Sequence, residues 1–198
     1  FIGTSAQLFA AKDVASVDVA GASLHPADEL KSLGVTIDSR LTFATHALAV
    51  RRACNYHIWA LRHIRHLLTL DVAKTLACSI VGARLDYCNS ILYGAPMSTV
   101  SKLQRVQNSL ARVVLQQPKR SHAAPLLRTL HWLPVKQRIH YKLAALTYKI
   151  RATATPDYLS YLISARTMGT RMSLRSASRA LLAVPSTRTA MASRASSV

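Results

Sequence analysis

The chain has 198 residues, half of them hydrophobic, and a formal net charge of +18. That length and apolar content suit one ordinary domain, or a small domain with an extension, and exclude wholesale disorder. An excess of cations on this scale destabilises a compact surface unless a polyanion neutralises it, so nucleic acid is the first partner indicated and an anionic membrane surface the second. The charge is also uneven. Residues 1–90 carry nine Lys/Arg and seven Asp/Glu, whereas residues 91–198 carry seventeen Lys/Arg and a single acid, Asp157. Cys54, Cys78 and Cys88 are odd in number and suggest no disulfide framework, which fits a reducing compartment, nuclear or cytoplasmic. No uncharged stretch reaches the roughly 18 apolar residues of a membrane span. The ends, Phe1-Ile2-Gly3-Thr4 and Ser196-Ser197-Val198, carry no initiator Met and no signal-peptide layout, and read as those of a fragment.

Along the chain, residues 14–19 and 33–37 read as short strands, rich in β-branched residues and punctuated by Gly21 and His25-Pro26. A long helix is expected from Phe43 to Leu68. Val50, Cys54, Ile58, Leu61, Ile64 and Leu68 recur at spacings of three and four and form its buried stripe. Arg51, Arg52, Arg62, Arg65, His63 and His66 fall on other faces. Trp59 shares the basic side, where it either stacks on a base or packs under a neighbouring segment. Asp71 is a good first residue for a second helix to about residue 90, whose apolar middle, Leu76 to Ala83, suggests a buried central position. A third helix covers Ser98 to Gln116, with Val100, Leu103, Val106, Leu110 and Val113 inward and Lys102, Arg105 and Arg112 on another face.

A short helix or turn follows over 124–130. Trp132-Leu133-Pro134 then opens a fourth long helix to Ile150, its stripe of Val135, Ile139, Leu143, Leu146 and Ile150 flanked by Arg138, Lys142 and Lys149. Pro156 starts a last short helix to Ile163. Residues 166–198 have six Arg, no acid and much Ser, Thr and Ala, and read as a basic, partly extended arm, with Leu181 to Val184 as one possible anchoring strand. The fold class is thus mainly α: a bundle of about four to six helices, preceded by a short β hairpin-like element and followed by the arm.

The residues offer little for catalysis. A two-metal polymerase or nuclease needs clustered carboxylates. Asp71 and Asp86 are fifteen residues apart, over ~20 Å along one helix, and cannot share a metal pair. Asp71 reads as a cap and Asp86 as a structural pairing residue. Cys54-x2-His57 with His63-x2-His66 resembles metal spacing, but on one helix the four side chains diverge. No phosphate-cradling glycine loop and no G-x-S-x-G is present. No metal site and no cofactor is therefore expected. What remains is the cationic surface: Arg51, Arg52, Arg62, Arg65, Lys102, Arg105, Arg112, Lys119, Arg120, Arg138, Lys142 and Lys149. On one helix such residues are ordinarily just solvated. Spread over three helices with almost no intervening acid, they favour phosphate contact, because a surface that serves solubility mixes signs.

Four strings in order carry a family resemblance: Leu33-Gly34-Val35-Thr36-Ile37-Asp38 with Leu41-Thr42-Phe43 and His46; Arg84-Leu85-Asp86-Tyr87-Cys88-Asn89-Ser90; Leu103-Gln104-Arg105-Val106-Gln107-Asn108; and Leu130-His131-Trp132-Leu133-Pro134-Val135 leading to Arg138-Ile139. Together, over about Phe1 to Val184, they resemble the C-terminal region of reverse transcriptases from LINE-type (non-LTR) retrotransposons of the jockey and chicken-repeat-like groups. The resemblance implies that residues 1–42 close the palm, 43–165 form a thumb-like helical domain and 166–198 a basic arm. It implies partners as well: an RNA–DNA or DNA duplex held through its phosphates, and the palm of the parent enzyme, with no membrane. The family's catalytic aspartates, which use Mg, its endonuclease and the Cys/His knuckle of some relatives have no counterpart in these residues. The expected role is template–primer binding without catalysis. Two alternatives stay open: a helical protein-interaction module, and a stand-alone basic RNA-binding protein of ribosomal or architectural type.

Overall fold

Thr4 opens the first helix, α1 (Ser5–Ala10), through a reciprocal cap: its hydroxyl accepts from the Gln7 N–H and the Gln7 side chain accepts from the Thr4 N–H. This is seen in a computed structural model describing residues 1–163 and 182–183. Two antiparallel hairpins follow, β1 (Val17–Val19) with β2 (Ala22–Leu24), and β3 (Glu29–Ser32) with β4 (Val35–Asp38). Both turn on two residues of positive φ, Ala20-Gly21 and Leu33-Gly34, the geometry that matches the twist of paired strands. Leu33 and Gly34, expected inside a strand, are therefore the turn itself, and the strand begins at Val35. The partners β2 and β3 escape sequence reading because they are only three and four residues long and contain no β-branched side chain.

The chain divides into two compact units, 1–140 and 141–198. In the first, α2 (Ala44–Ile64) and α5 (Met97–Val114) form the centre. They run in the same direction. The Thr99 hydroxyl near the start of α5 donates to the Thr42 carbonyl just ahead of α2, and Arg65 just past α2 donates to the Val114 carbonyl at the end of α5. Cys54, Ile58 and Leu61 of α2 and Val100, Leu103, Val106, Leu110 and Val113 of α5 are buried in one core cluster. Expected inward residues Val50 and Leu68 pack at its margin. Ile64 is 45% exposed instead, and Arg65 takes the inward place. The stripe Cys54, Ile58, Leu61 continues at Arg65 by helical spacing, so the cation, not Ile64, is in phase with the core.

The second helical region runs without interruption from Leu70 to Asp86 but changes type along the way. It comprises α3 (Leu70–Leu76), a π-helical stretch Ala77–Gly82 and α4 (Ala83–Asp86), followed by a 3-10 turn Asn89–Leu92. Thr69 is its cap, accepting from the Val72 N–H, and Asp71 lies in the first turn, where a negative charge faces the positive helix end. The segment is not buried on all sides as its composition suggested. Ala77, Val81 and Gly82 face the core, while Cys78, Ser79 and Ile80 are exposed. Next come α6 (Ala123–Thr129), α7 (Val135–Thr153) and α8 (Asp157–Ser160). Val135 and Ile139 of α7 close the core of the first unit. In the second unit Ile150 is buried, Leu143 half-buried and Leu146 38% exposed. The architecture is mainly α behind two small antiparallel strand pairs. The expected arm, 166–198, lies outside the described residues except at 182–183.

Candidate nucleic-acid interface

The four strings singled out in the sequence are joints of the fold. Asp38 receives the backbone N–H groups of Arg40, Thr42 (2.9 Å) and Phe43 and so fixes the entry to α2. Burial alone would raise its carboxyl, but these donors hold it below the ordinary carboxylate range. His46 is buried and its Nδ1 accepts from the Thr36 N–H at 3.4 Å, a bond that requires that nitrogen unprotonated; burial depresses the imidazole in the same sense. Tyr87 donates from its hydroxyl to the Leu33 carbonyl at 2.6 Å, tying the second string to the first. Asp86 forms an ion pair with Arg138 and accepts from Asn89. Gln107, 1% exposed, donates to the Leu133 carbonyl at 2.8 Å, and the Gln104 side-chain oxygen accepts the Val135 N–H at 2.8 Å. Gln104 also donates to Asn108 and Gln107, so this half-buried amide network holds the Leu133-Pro134-Val135 corner against α5.

Where α2 and α5 pack side by side, their last turns share a cleft of about 450 Å³. It is lined by Arg62, Arg65, His66, Arg112 and Lys119, with Ser109, Val113, Gln116 and Gln117, and by no acid. Cations at helix C-termini have an ordinary structural use, and Arg65 serves it. Arg65 is buried and gives Nε to the Val114 carbonyl (2.7 Å) and a terminal nitrogen to the Leu68 carbonyl (2.8 Å). Arg112 gives Nε to the Ser121 carbonyl at 2.9 Å. The two parallel helix dipoles together present about one negative charge, roughly −0.5 from each end. Three Arg and one Lys exceed that by about three, so the cleft keeps a positive field that an anion can satisfy.

The expected cations thus separate by position. Arg51, Arg52 and Arg62 are exposed on α2, Arg105 is exposed on α5, and Lys119 and Arg120 are exposed after it. Lys102 and Arg112 are half-buried on α5. Arg138 is engaged by Asp86, and Lys142 and Lys149 are exposed on the part of α7 in the second unit. The cleft gathers Arg62, Arg65, Arg112 and Lys119. It adds Gln116 and Gln117, which lie past the end of α5, where no helical spacing gave a signal. Trp59 is 61% exposed, so it is not packed beneath a neighbouring segment of the described chain. Cys54 is buried, its thiol pushed up to about 11, and it faces the core while His63 and His66 are exposed. No group of three or more metal-ligating side chains occurs among the described residues, and none of their helices is long and apolar enough to cross a membrane.

No family model and no solved structure matches the chain. Over 128 residues, 63% of the chain, it is 27% identical to a Drosophila melanogaster protein described as a probable RNA-directed DNA polymerase from transposon BS. The chain is similar to a transposon polymerase. It spans about 14% of that relative's length. The likeness supports an origin related to retrotransposon reverse transcriptases.

Proposed function

We propose that the chain is the post-palm, thumb-like region of a LINE-type reverse transcriptase of the jockey or chicken-repeat-like kind, and that it grips template–primer duplex without extending it. The observation that carries this reading is the acid-free cationic cleft where α2 and α5 end, flanked by exposed Arg105 and Arg120. Lys and Arg on a helical scaffold hold a duplex through phosphates whatever its sequence, which is what a polymerase needs beside its active site. Asp86, one of the two carboxylates weighed for a metal pair, is already engaged by Arg138. Binding to an RNA–DNA hybrid is expected to fall with salt at a log–log slope of about −0.9 per neutralised phosphate, with no nucleotide incorporation. Binding that ignores salt, or primer extension by the purified chain, refutes the assignment.

A second reading, a surface for the palm of the parent enzyme, is favoured by Tyr141 and Tyr148, 68% and 76% exposed in the second unit. It predicts self-association of the isolated chain. A clean monomer in sedimentation counts against it.

A further inference from the structure

From residue 44 to residue 67 the chain has no Asp or Glu, and it carries Arg51, Arg52, Arg62 and Arg65. On the exposed side of α2, Arg52, Tyr56, Trp59 and His63 follow one another at intervals of four, three and four, which is a single stripe along the helix. Tyr56 is 67% exposed and Trp59 61% exposed, and the Trp59 ring meets His63 edge to face with centroids 4.3 Å apart. The core places no demand on these side chains, since α2 buries Cys54, Ile58 and Leu61 instead. Two large rings thus stand exposed on one stripe of the helix, between Arg52 and Arg62.

We infer that this stripe stacks the bases of a single-stranded nucleic-acid segment and delivers that strand to the cationic cleft. The inference rests on the nucleic-acid reading above but concerns a different part of the ligand. A duplex keeps its base faces stacked inside and offers a protein only edges and phosphates. Exposed rings are useful to a strand whose bases are unpaired, because every base has a face to stack whatever its identity. The charges agree. Arg52 stands one turn before Tyr56, and Arg62 stands just beyond Trp59 at the cleft, so both ends of the stripe have a cation for the backbone of a stacked strand. Tyr56 and Trp59 are one helical turn apart, about 4.5 Å along the axis, so bases of one strand can reach both rings. A protein partner fits less well: it would have to answer three exposed arginines, Arg51, Arg52 and Arg62, without meeting one acid on this helix.

The test uses the intact chain and a twelve-residue oligothymidylate, with a blunt RNA–DNA hybrid of the same length beside it. The Trp59 signal is isolated as the difference between the unaltered protein and Trp59→Phe, because Trp132 is the second tryptophan. Saturating single strand is expected to quench that signal. Trp59→Ala is expected to weaken single-strand binding about tenfold while changing hybrid binding less than twofold, Trp59→Phe to recover most of the loss, and neither to alter the salt slope. No quenching, or an equal loss for both ligands, overturns the stacking assignment while the duplex reading stands. Unchanged single-strand binding with a shift from self-associated to monomeric Trp59→Ala assigns the stripe to a protein contact instead. Failure of both ligands to bind removes the nucleic-acid reading itself.

Discussion

Replacing Arg65 by Met separates the cations that build the fold from those that face a ligand. The guanidinium is buried and donates to the carbonyls of Val114 and Leu68 at 2.7 and 2.8 Å, so it joins the ends of α2 and α5. Removing it leaves both carbonyls without that donor, at roughly 1–3 kcal/mol each. Met retains a packed stem, and losing a buried charge returns part of its desolvation cost, so the expected net loss is about 2–4 kcal/mol. Arg65→Lys, with one ammonium in place of a planar fork, is expected to fall between the two. Urea unfolding followed by circular dichroism measures the loss. Hybrid binding, measured in the cold where the variant is folded, is expected to change by less than about threefold, a difference of under ~0.7 kcal/mol. An unaltered unfolding midpoint together with abolished binding refutes the reasoning, because Arg65 would then be spending its donors on the ligand.

Gln107→Leu removes the donor to Leu133 and one partner of Gln104, and is expected to cost about 1–3 kcal/mol of unfolding free energy without altering hybrid affinity. A double-mutant cycle on Asp86 and Arg138, whose side chains are 39% and 25% exposed, is expected to give a coupling of only about 0.5–1 kcal/mol because solvent screens the pair; a much larger value shows the pair to be more shielded than its exposure implies. Stability is also expected to depend on acidity in two steps. His46 titrates below its ordinary value of 6.5 when folded, so the unfolded chain takes the proton first and stability declines as pH falls from 6.5 towards the folded value. Asp38, depressed from 3.8, contributes stability above that pH which is lost as pH falls further through its folded value. His46→Gln is expected to flatten the upper step in urea melts taken from pH 7.5 to 5; an unchanged profile assigns that step to another group.

The long helices were legible because burial leaves a period. Val100, Leu103, Val106, Leu110 and Val113 mark α5 in the sequence as they do in the core. Exposed β2 and β3 leave no such trace, and Leu33 mimics a strand residue although it occupies a turn. The π-helical stretch Ala77–Gly82 was hidden by composition, since small and apolar residues pack inward and outward alike. For the candidate site, the sign of the surface was legible and its division of labour was not. Arg62 and Arg65 look equivalent in composition, yet one is exposed and the other reaches carbonyls of two different segments. Helical phase already sets Arg65 inward, but its acceptor at Val114 depends on α5 lying alongside α2, a pairing made by residues about fifty positions apart. Likewise Gln104 and Gln107 carry no local signal of their role, because their partners at Leu133 and Val135 come from beyond a turn and another helix.

The most direct measurement is the salt dependence of RNA–DNA hybrid binding by the unaltered chain and by Arg62→Glu/Lys119→Glu, which alters two exposed cations of the cleft. A duplex held there through phosphates gives a steep negative slope for the unaltered chain, made shallower by up to about two in the variant, with weaker binding and unchanged helicity. Identical slopes and affinities for the two proteins would contradict a phosphate-gripping cleft.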